Sequence, residues 1–130
     1  MDEKATGKKI LLVDDESDFR QLLGFWLEGQ GYQVIYAENG VSAIRETKAK
    51  NPDIIFMDLR MPEMSGAEAV KKIREFNTEV AIIVISSYVD DPVVSEIAKS
   101  NISGVFYKGE DFKKGLPLLL SALHTHKRMF

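Results

Sequence analysis

Five polar residues each close an apolar run. Asp14 and Asp15 follow Ile10–Val13, Asp58 follows Ile54–Met57, Ser86 follows the run that ends at Ile85, and Lys108 follows Gly104–Tyr107. Asp58 also opens a loop, Leu59 to Gly66, that carries Pro62. Parallel strands would bring these groups to one rim, and the carboxyl ends of strands are where open α/β sheets place their ligands. Three carboxylates crowded there repel one another, so a divalent cation must neutralise them or one must be protonated. An all-oxygen donor set, in a chain with 2 His, points to a hard cation, Mg²⁺ first. A carboxylate beside Mg²⁺ can attack a phosphoryl group and form an aspartyl phosphate. That transfer needs position and charge neutralisation more than covalent help. Lys108 suits one phosphoryl oxygen as a point charge, and Ser86 suits another as a hydrogen-bond donor.

The elements that must position these groups alternate along the chain. Strands are expected at Lys9–Val13, Gln33–Ala37, Ile54–Met57, Val80–Ile85 and Gly104–Tyr107. The continuous apolar runs fit strands buried on both faces of a parallel sheet. Phe19, Leu22, Leu23, Trp26 and Leu27 recur at helical spacing, which predicts a helix over Ser17–Gln30, capped by Asp15 or Ser17 and ended by Gly31. Ala43, Ile44 and Thr47 mark a second helix that Asn51-Pro52 stops. Ala67, Val70, Ile73 and Arg74 mark a third, and Asp91-Pro92 opens a fourth with an acid cap and a first-turn proline. Leu116, Leu119, Leu120 and Leu123 mark a fifth. Pro117 is expected in the first turn of that helix, with regular structure starting near Gly115 or Leu116 and Gly109–Lys114 left as a loop. Five βα units imply parallel neighbours, right-handed crossovers and a doubly wound (βα)5 three-layer α/β sandwich.

Composition narrows the function classes. A length of 130 residues, 45% apolar and 28% charged, fits one globular domain over 1–130 with its core at about 8–124. The net charge of −3 offers no basic footprint for nucleic acid. Without Cys there is no disulfide, thiolate metal site or Cys nucleophile. The polar start, Met1 to Lys9, has no apolar signal core, and the apolar runs are too short to span a bilayer, so no membrane partner and a cytoplasmic location are expected. Glu16 and Asp18 read as solvated first-turn acids, and Phe19 and Trp26 as core. His124 and His126 lie in a basic tail, expected to fray, and receive no role.

Val13-Asp14-Asp15, Met57-Asp58-Leu59-Arg60-Met61-Pro62, Gly66, Ile85-Ser86-Ser87 and Tyr107-Lys108 together resemble the motifs of the response-regulator receiver domain of two-component signalling. The resemblance spans about Lys8 to His124 and implies a CheY-like fold, a five-stranded parallel sheet in the flavodoxin-like order 2-1-3-4-5. It implies that Asp58 accepts a phosphoryl group from a histidine kinase or a histidine phosphotransfer protein. It implies that Asp14 and Asp15 bind Mg²⁺ with Asp58 and the backbone carbonyl of Arg60, and that Ser86 and Lys108 contact the phosphoryl group. Output would pass through the fourth helix, fifth strand and fifth helix to a downstream protein target or an effector domain. A weak homodimer is a further option, since Leu118 falls beside the core stripe and extends an apolar patch. Such a domain is not an enzyme beyond its own phosphorylation and autodephosphorylation.

The chain departs from the family pattern at Val105, where an aromatic residue is usual, and at Gly109, where proline is usual. A cis bond before a non-proline residue costs about 2.5–4 kcal/mol, so Lys108-Gly109 is expected to be trans. Arg60 and Tyr88 follow Asp58 and Ser86 by two residues, at the rim where water must approach, and are expected to modulate autodephosphorylation. Two other readings compete. A non-switching pseudo-receiver would keep the fold as an interaction module, which the Val105 and Gly109 departures favour. A haloacid-dehalogenase-type phosphatase would need a second acid two residues after the nucleophile, where Arg60 stands. A dinucleotide site is disfavoured further by the lack of G-x-G-x-x-G after the first strand.

Overall fold

The computed structural model describes residues 7–128, and side chains through residue 123. The elements run β1 (Lys9–Val13), α1 (Ser17–Gly29), β2 (Gln33–Ala37), α2 (Gly40–Lys50), β3 (Ile54–Asp58), α3 (Gly66–Arg74), β4 (Ala81–Ser86), α4 (Pro92–Ile97), β5 (Gly104–Tyr107) and α5 (Phe112–Arg128). A 3₁₀ turn, Ala98–Ser100, extends α4. The sheet order is β2-β1-β3-β4-β5, and every pairing is parallel. This is the doubly wound order that the resemblance implies.

Strand alternation divides the core into two layers. Ile10, Leu12, Phe56, Ile83, Ile85 and Phe106 face α1 and α5, where Leu23, Leu27, Leu116 and Leu120 meet them. Leu11, Val13, Ile55, Met57, Ile82 and Val84 face Ala43, Ala69, Val70, Ile73 and Ile97 of the other three helices. β3 and β4 are buried at every residue, which explains why they read as unbroken apolar runs. Val105 packs into the second of these layers and Phe106 into the first, as alternation requires. Among the described residues, no helix is long and apolar enough to cross a membrane.

Register places the strand ends together. Asp58 lies opposite Ile85, and Ser86 opposite Tyr107. Backbone bonds extend the ladder past the strands: Asp14 N to Ala37 O at 3.1 Å, Leu59 N to Ile85 O at 3.0 Å, and Lys108 N to Ser86 O at 2.9 Å. Gly66 has a steric reason to be glycine. A Cβ there would lie 2.0 Å from the Asp58 carbonyl oxygen, so only glycine lets α3 start directly behind the acid.

The caps differ from expectation at one helix. Asn39, Ser65 and Asp91 cap α2, α3 and α4 through side-chain oxygens. Neither Asp15 nor Ser17 caps α1; Glu16 occupies that position with no side-chain cap, and Asp14 Oδ1 instead accepts from the Glu16 amide at 2.8 Å. The Asp14 carboxylate, just past the end of β1, fixes the residue that opens α1 rather than capping the helix.

Helix α5 also starts earlier than expected. It begins at Phe112, with the Asp111 carboxylate accepting from Lys113 N at 3.0 Å, and it includes Pro117. Burial of Leu116 and Leu120, with Phe112 packed edge-on against Trp26 at 5.5 Å, anchors the first turns more strongly than the proline disrupts them. The helical backbone continues to Arg128; Met129 and Phe130 lie outside the described residues.

Pro117 has no N–H for the Lys113 carbonyl, and its ring is exposed. Pro117→Ala is therefore expected to raise stability in urea unfolding by about 1–2 kcal/mol, after the loss of proline's stiffening of the unfolded chain. An unchanged or lower stability would contradict a continuous helix across this position.

Candidate functional site

Asp14, Asp58 and Lys108 converge at the carboxyl rim of the sheet. Asp14 is fully buried, Asp58 is 1% exposed, and the Lys108 side chain is 12% exposed. Lys108 Nζ lies 3.0 Å from Asp14 Oδ2, 3.5 Å from Asp58 Oδ2, and against Glu16 Oε1. The Phe19 ring covers the ammonium, 4.9 Å from its centroid. One ammonium thus serves three carboxylates, leaving two negative charges in excess if all three ionise.

Burial and this imbalance together set the protonation of Asp58. Burial and the charge of Asp14 push the Asp58 carboxyl up to about 7, against the opposing pull of Lys108 and the Arg60 amide. A side-chain hydrogen bond with Asp15 adds to the rise. Lys108 moves the other way from what burial alone would do. Its bonds to Glu16 and Asp14 and the charges of Asp58 and Asp14 push it up to about 12.

Oxygen atoms of Asp14, Glu16 and Asp58 lie within 4.8 Å of one another. Asp14 Oδ2 is buried with no hydrogen-bond partner among the described residues, although Lys108 is at ion-pair distance. A hard oxygen donor set with one unsatisfied buried carboxylate oxygen fits a divalent cation. Asp15 is exposed and stands outside this trio, joined to Asp58 by its hydrogen bond. Glu16 is solvent-exposed, as its place before the first helix suggests, and still brings an oxygen into the trio. The signal was its spacing, two residues after Asp14 on a chain just entering a helix.

The remaining predicted residues surround this centre. The Arg60 amide donates to Asp58 Oδ1 at 3.3 Å, while its guanidinium turns to Asp91. Ser86 is fully buried, and its hydroxyl engages the Tyr88 backbone and Asp91. Tyr88 is exposed, with the Arg60 guanidinium 5.8 Å from its ring centroid, so the two rim residues touch. The Lys108–Gly109 bond is trans, and Gly109 has open space where a Cβ would be. Asp91 is a site neighbour that sequence reasoning recognised only as a helix cap.

The sequence matches the model of the response regulator receiver domain over residues 10–119. The chain belongs to this family. The receiver is 36% identical over 103 residues to the chemotaxis protein CheY of Thermotoga maritima, covering 78% of this chain and 86% of that one. It is 30% identical over 118 residues to sporulation initiation phosphotransferase F of Bacillus subtilis, covering 85% and 95%. It also matches the transcriptional regulatory protein ZraR of Klebsiella oxytoca at 35% over 120 residues, covering 92% of this chain but 27% of that protein. For the regulatory protein AtoC of Escherichia coli the share spanned is 18%. Among solved structures, a CheY-like receiver domain protein from Methanospirillum hungatei superposes with a TM-score of 0.87 at 18% identity, covering 96% of this chain and all of that one (100%). The receiver family is one of signalling proteins rather than catalysts.

The raised Asp58 pKa has a stability consequence with a defined sign. A carboxyl whose folded pKa lies above its unfolded value stabilises fully below the unfolded pKa, and that contribution is lost as pH rises through the folded one. Without divalent cation, the wild type should lose this contribution between about pH 4 and pH 7. Asp58→Asn should therefore gain stability over wild type across that window, on the order of 2–4 kcal/mol at pH 8 in chelator. Thermal or urea unfolding at several pH values checks this; a difference independent of pH would contradict it.

Proposed function

We propose that this receiver accepts a phosphoryl group on Asp58 with Mg²⁺ and changes the surface it offers to a partner. The observation that carries this reading is the buried convergence of Asp14, Asp58 and Lys108 at one rim of the sheet. The donor is a histidine kinase or a histidine phosphotransfer protein. The Asp58 Oδ attacks phosphorus, the new O–P bond forms, and the donor's N–P bond breaks. The electron pair stays on the imidazole nitrogen, which then takes a proton.

Each residue has a task in that step. Asp58 must be ionised to attack, and its carboxyl lies near neutrality in the metal-free site. Asp14 and Asp58 would hold Mg²⁺ with Glu16, which has an oxygen within 4.8 Å of theirs, and with Asp15, hydrogen-bonded to Asp58, and the Arg60 carbonyl as further ligands. Bound there, the cation supplies positive charge that favours the ionised acid and offsets charge on the phosphoryl oxygens. Lys108 carries its proton at any physiological pH and is held where a phosphoryl oxygen on Asp58 Oδ2 would meet it. Ser86 donates to another oxygen. Arg60 and Tyr88, stacked on one another at the rim, limit the approach of water and so set the phosphoryl lifetime.

Output then passes through α4, β5 and α5, over Val93–Ser100, Gly104–Tyr107 and Leu116–Leu123, to a downstream protein or an effector domain. Leu118, 76% exposed on α5, supplies an apolar contact on that surface, for a partner or a second copy of the chain. One observation favours a second reading, a non-switching interaction module. Val105 packs into the helical layer where a pivoting aromatic is usual. Under that reading Asp58→Asn leaves partner binding unchanged.

Intact mass after incubation with acetyl phosphate and Mg²⁺ tests the chemistry. One labile phosphoryl adduct is expected, absent in Asp58→Asn and absent in chelator. An adduct that survives Asp58→Asn would move the acceptor elsewhere, and no adduct with any donor would favour the non-switching module.

A further inference from the structure

The hydroxyl that a phosphorylated Asp58 needs already lies between two other acceptors, a backbone carbonyl and a second acid. Ser86 Oγ has one proton to give, and it lies 2.9 Å from the Tyr88 carbonyl oxygen and 3.3 Å from Asp91 Oδ2. Arg60 reaches the same carboxylate with both arms, Nε at 3.2 Å from Oδ2 and Nη2 at 2.8 Å from Oδ1. The Val93 amide donates to Oδ1 at 3.0 Å. The Asp91 side chain has no exposed surface, and these donors occupy both of its oxygens.

Capping α4 accounts for one of those bonds, the one from Val93. Asn or Ser would cap as well. The other donors come from Arg60 and Ser86, the residues that flank the acceptor on either side. A planar, two-bond guanidinium pair is what a carboxylate adds beyond capping. Asp90, next to it, holds a left-handed backbone at φ 61°, which a non-glycine residue adopts only where its surroundings require it.

We propose that Asp91 is a positioning residue of the phosphoryl site: its carboxylate holds the Arg60 guanidinium and shares the Ser86 hydroxyl with the Tyr88 carbonyl, and a phosphoryl group on Asp58 must win both donors from it. This rests on the reading of Asp58 as the phosphoacceptor. The exchange also cuts the tie between Arg60 and the cap residue of α4, while the Val93 bond to Asp91 stays in place. The far end of that segment stays pinned, because Arg74 donates to the carbonyl oxygens of Ser100 and Asn101, each at 2.8 Å. Asp91 thereby sets how readily the phosphorylated form is reached and couples that event to one end of α4.

The test is the affinity of the full chain for beryllofluoride with Mg²⁺, a phosphoryl-shaped probe, measured by calorimetry. Asp91→Asn keeps an oxygen for the Val93 amide but turns an NH₂ toward Ser86 and removes the negative charge that holds Arg60. Binding is expected to tighten about tenfold. In a Ser86→Ala background the same substitution should gain less than about threefold, because part of the competition is gone. A merely structural role predicts weaker binding, or the same change in both backgrounds, and either result overturns the proposal while leaving Asp58 as acceptor. If wild type itself fails to bind the probe, the acceptor reading falls and this proposal with it. Asp91→Ser, a second capping variant, carries the same comparison should Asp91→Asn fail to fold.

Discussion

The ammonium of Lys108 holds the rim of this molecule together. Asp14, Glu16 and Asp58 come from the ends of two strands and the start of a helix, and that one amine is within reach of all three. Removing one member of a buried ion pair costs about 3–5 kcal/mol, because the charge left behind has no water to turn to. The lysine holds the acids close, and burial together with the charge of Asp14 raises the Asp58 carboxyl toward neutrality. A site built this way is short of positive charge by design of its geometry. It favours a divalent cation and, once one is held, an anionic group with oxygens to share.

The fold supplies that geometry through register and one missing side chain. Parallel pairing sets the strand ends level, so the residues after β1, at the end of β3 and after β5 meet without any loop having to reach far. Gly66 lets α3 begin against the Asp58 carbonyl, which keeps the acid buried on the sheet's edge. On the other side of Asp58, the Arg60–Asp91–Ser86 network ties the β3–α3 loop to the start of α4. The site is thus bounded by a cationic centre on the β1 and β5 side and by an anionic latch on the β4 side.

Much of this was legible in the residues themselves. The strand order follows from five alternating units, and Asp14, Asp58, Ser86 and Lys108 stand at strand ends because apolar runs stop there. What the chain alone concealed depends on contacts between segments far apart. Glu16 is the solvated acid its place suggests, but its contact with Lys108, 92 residues away, is invisible in the chain. Asp91 reads as a cap until Arg60 arrives from 31 residues upstream. Pro117 hides the start of α5, because locally it reads as a breaker, whereas burial of Leu116 and Leu120 decides where the helix begins.

The account turns on Asp58 being a strained, charge-crowded acid that a divalent cation relieves. The most direct measurement is an NMR titration of its side-chain carboxyl carbon, assigned by loss of the signal in Asp58→Asn, with and without Mg²⁺. The account predicts a midpoint near 7 in the metal-free protein and a clear downward move when Mg²⁺ is added. A midpoint in the ordinary carboxylate range, unmoved by Mg²⁺, would contradict it.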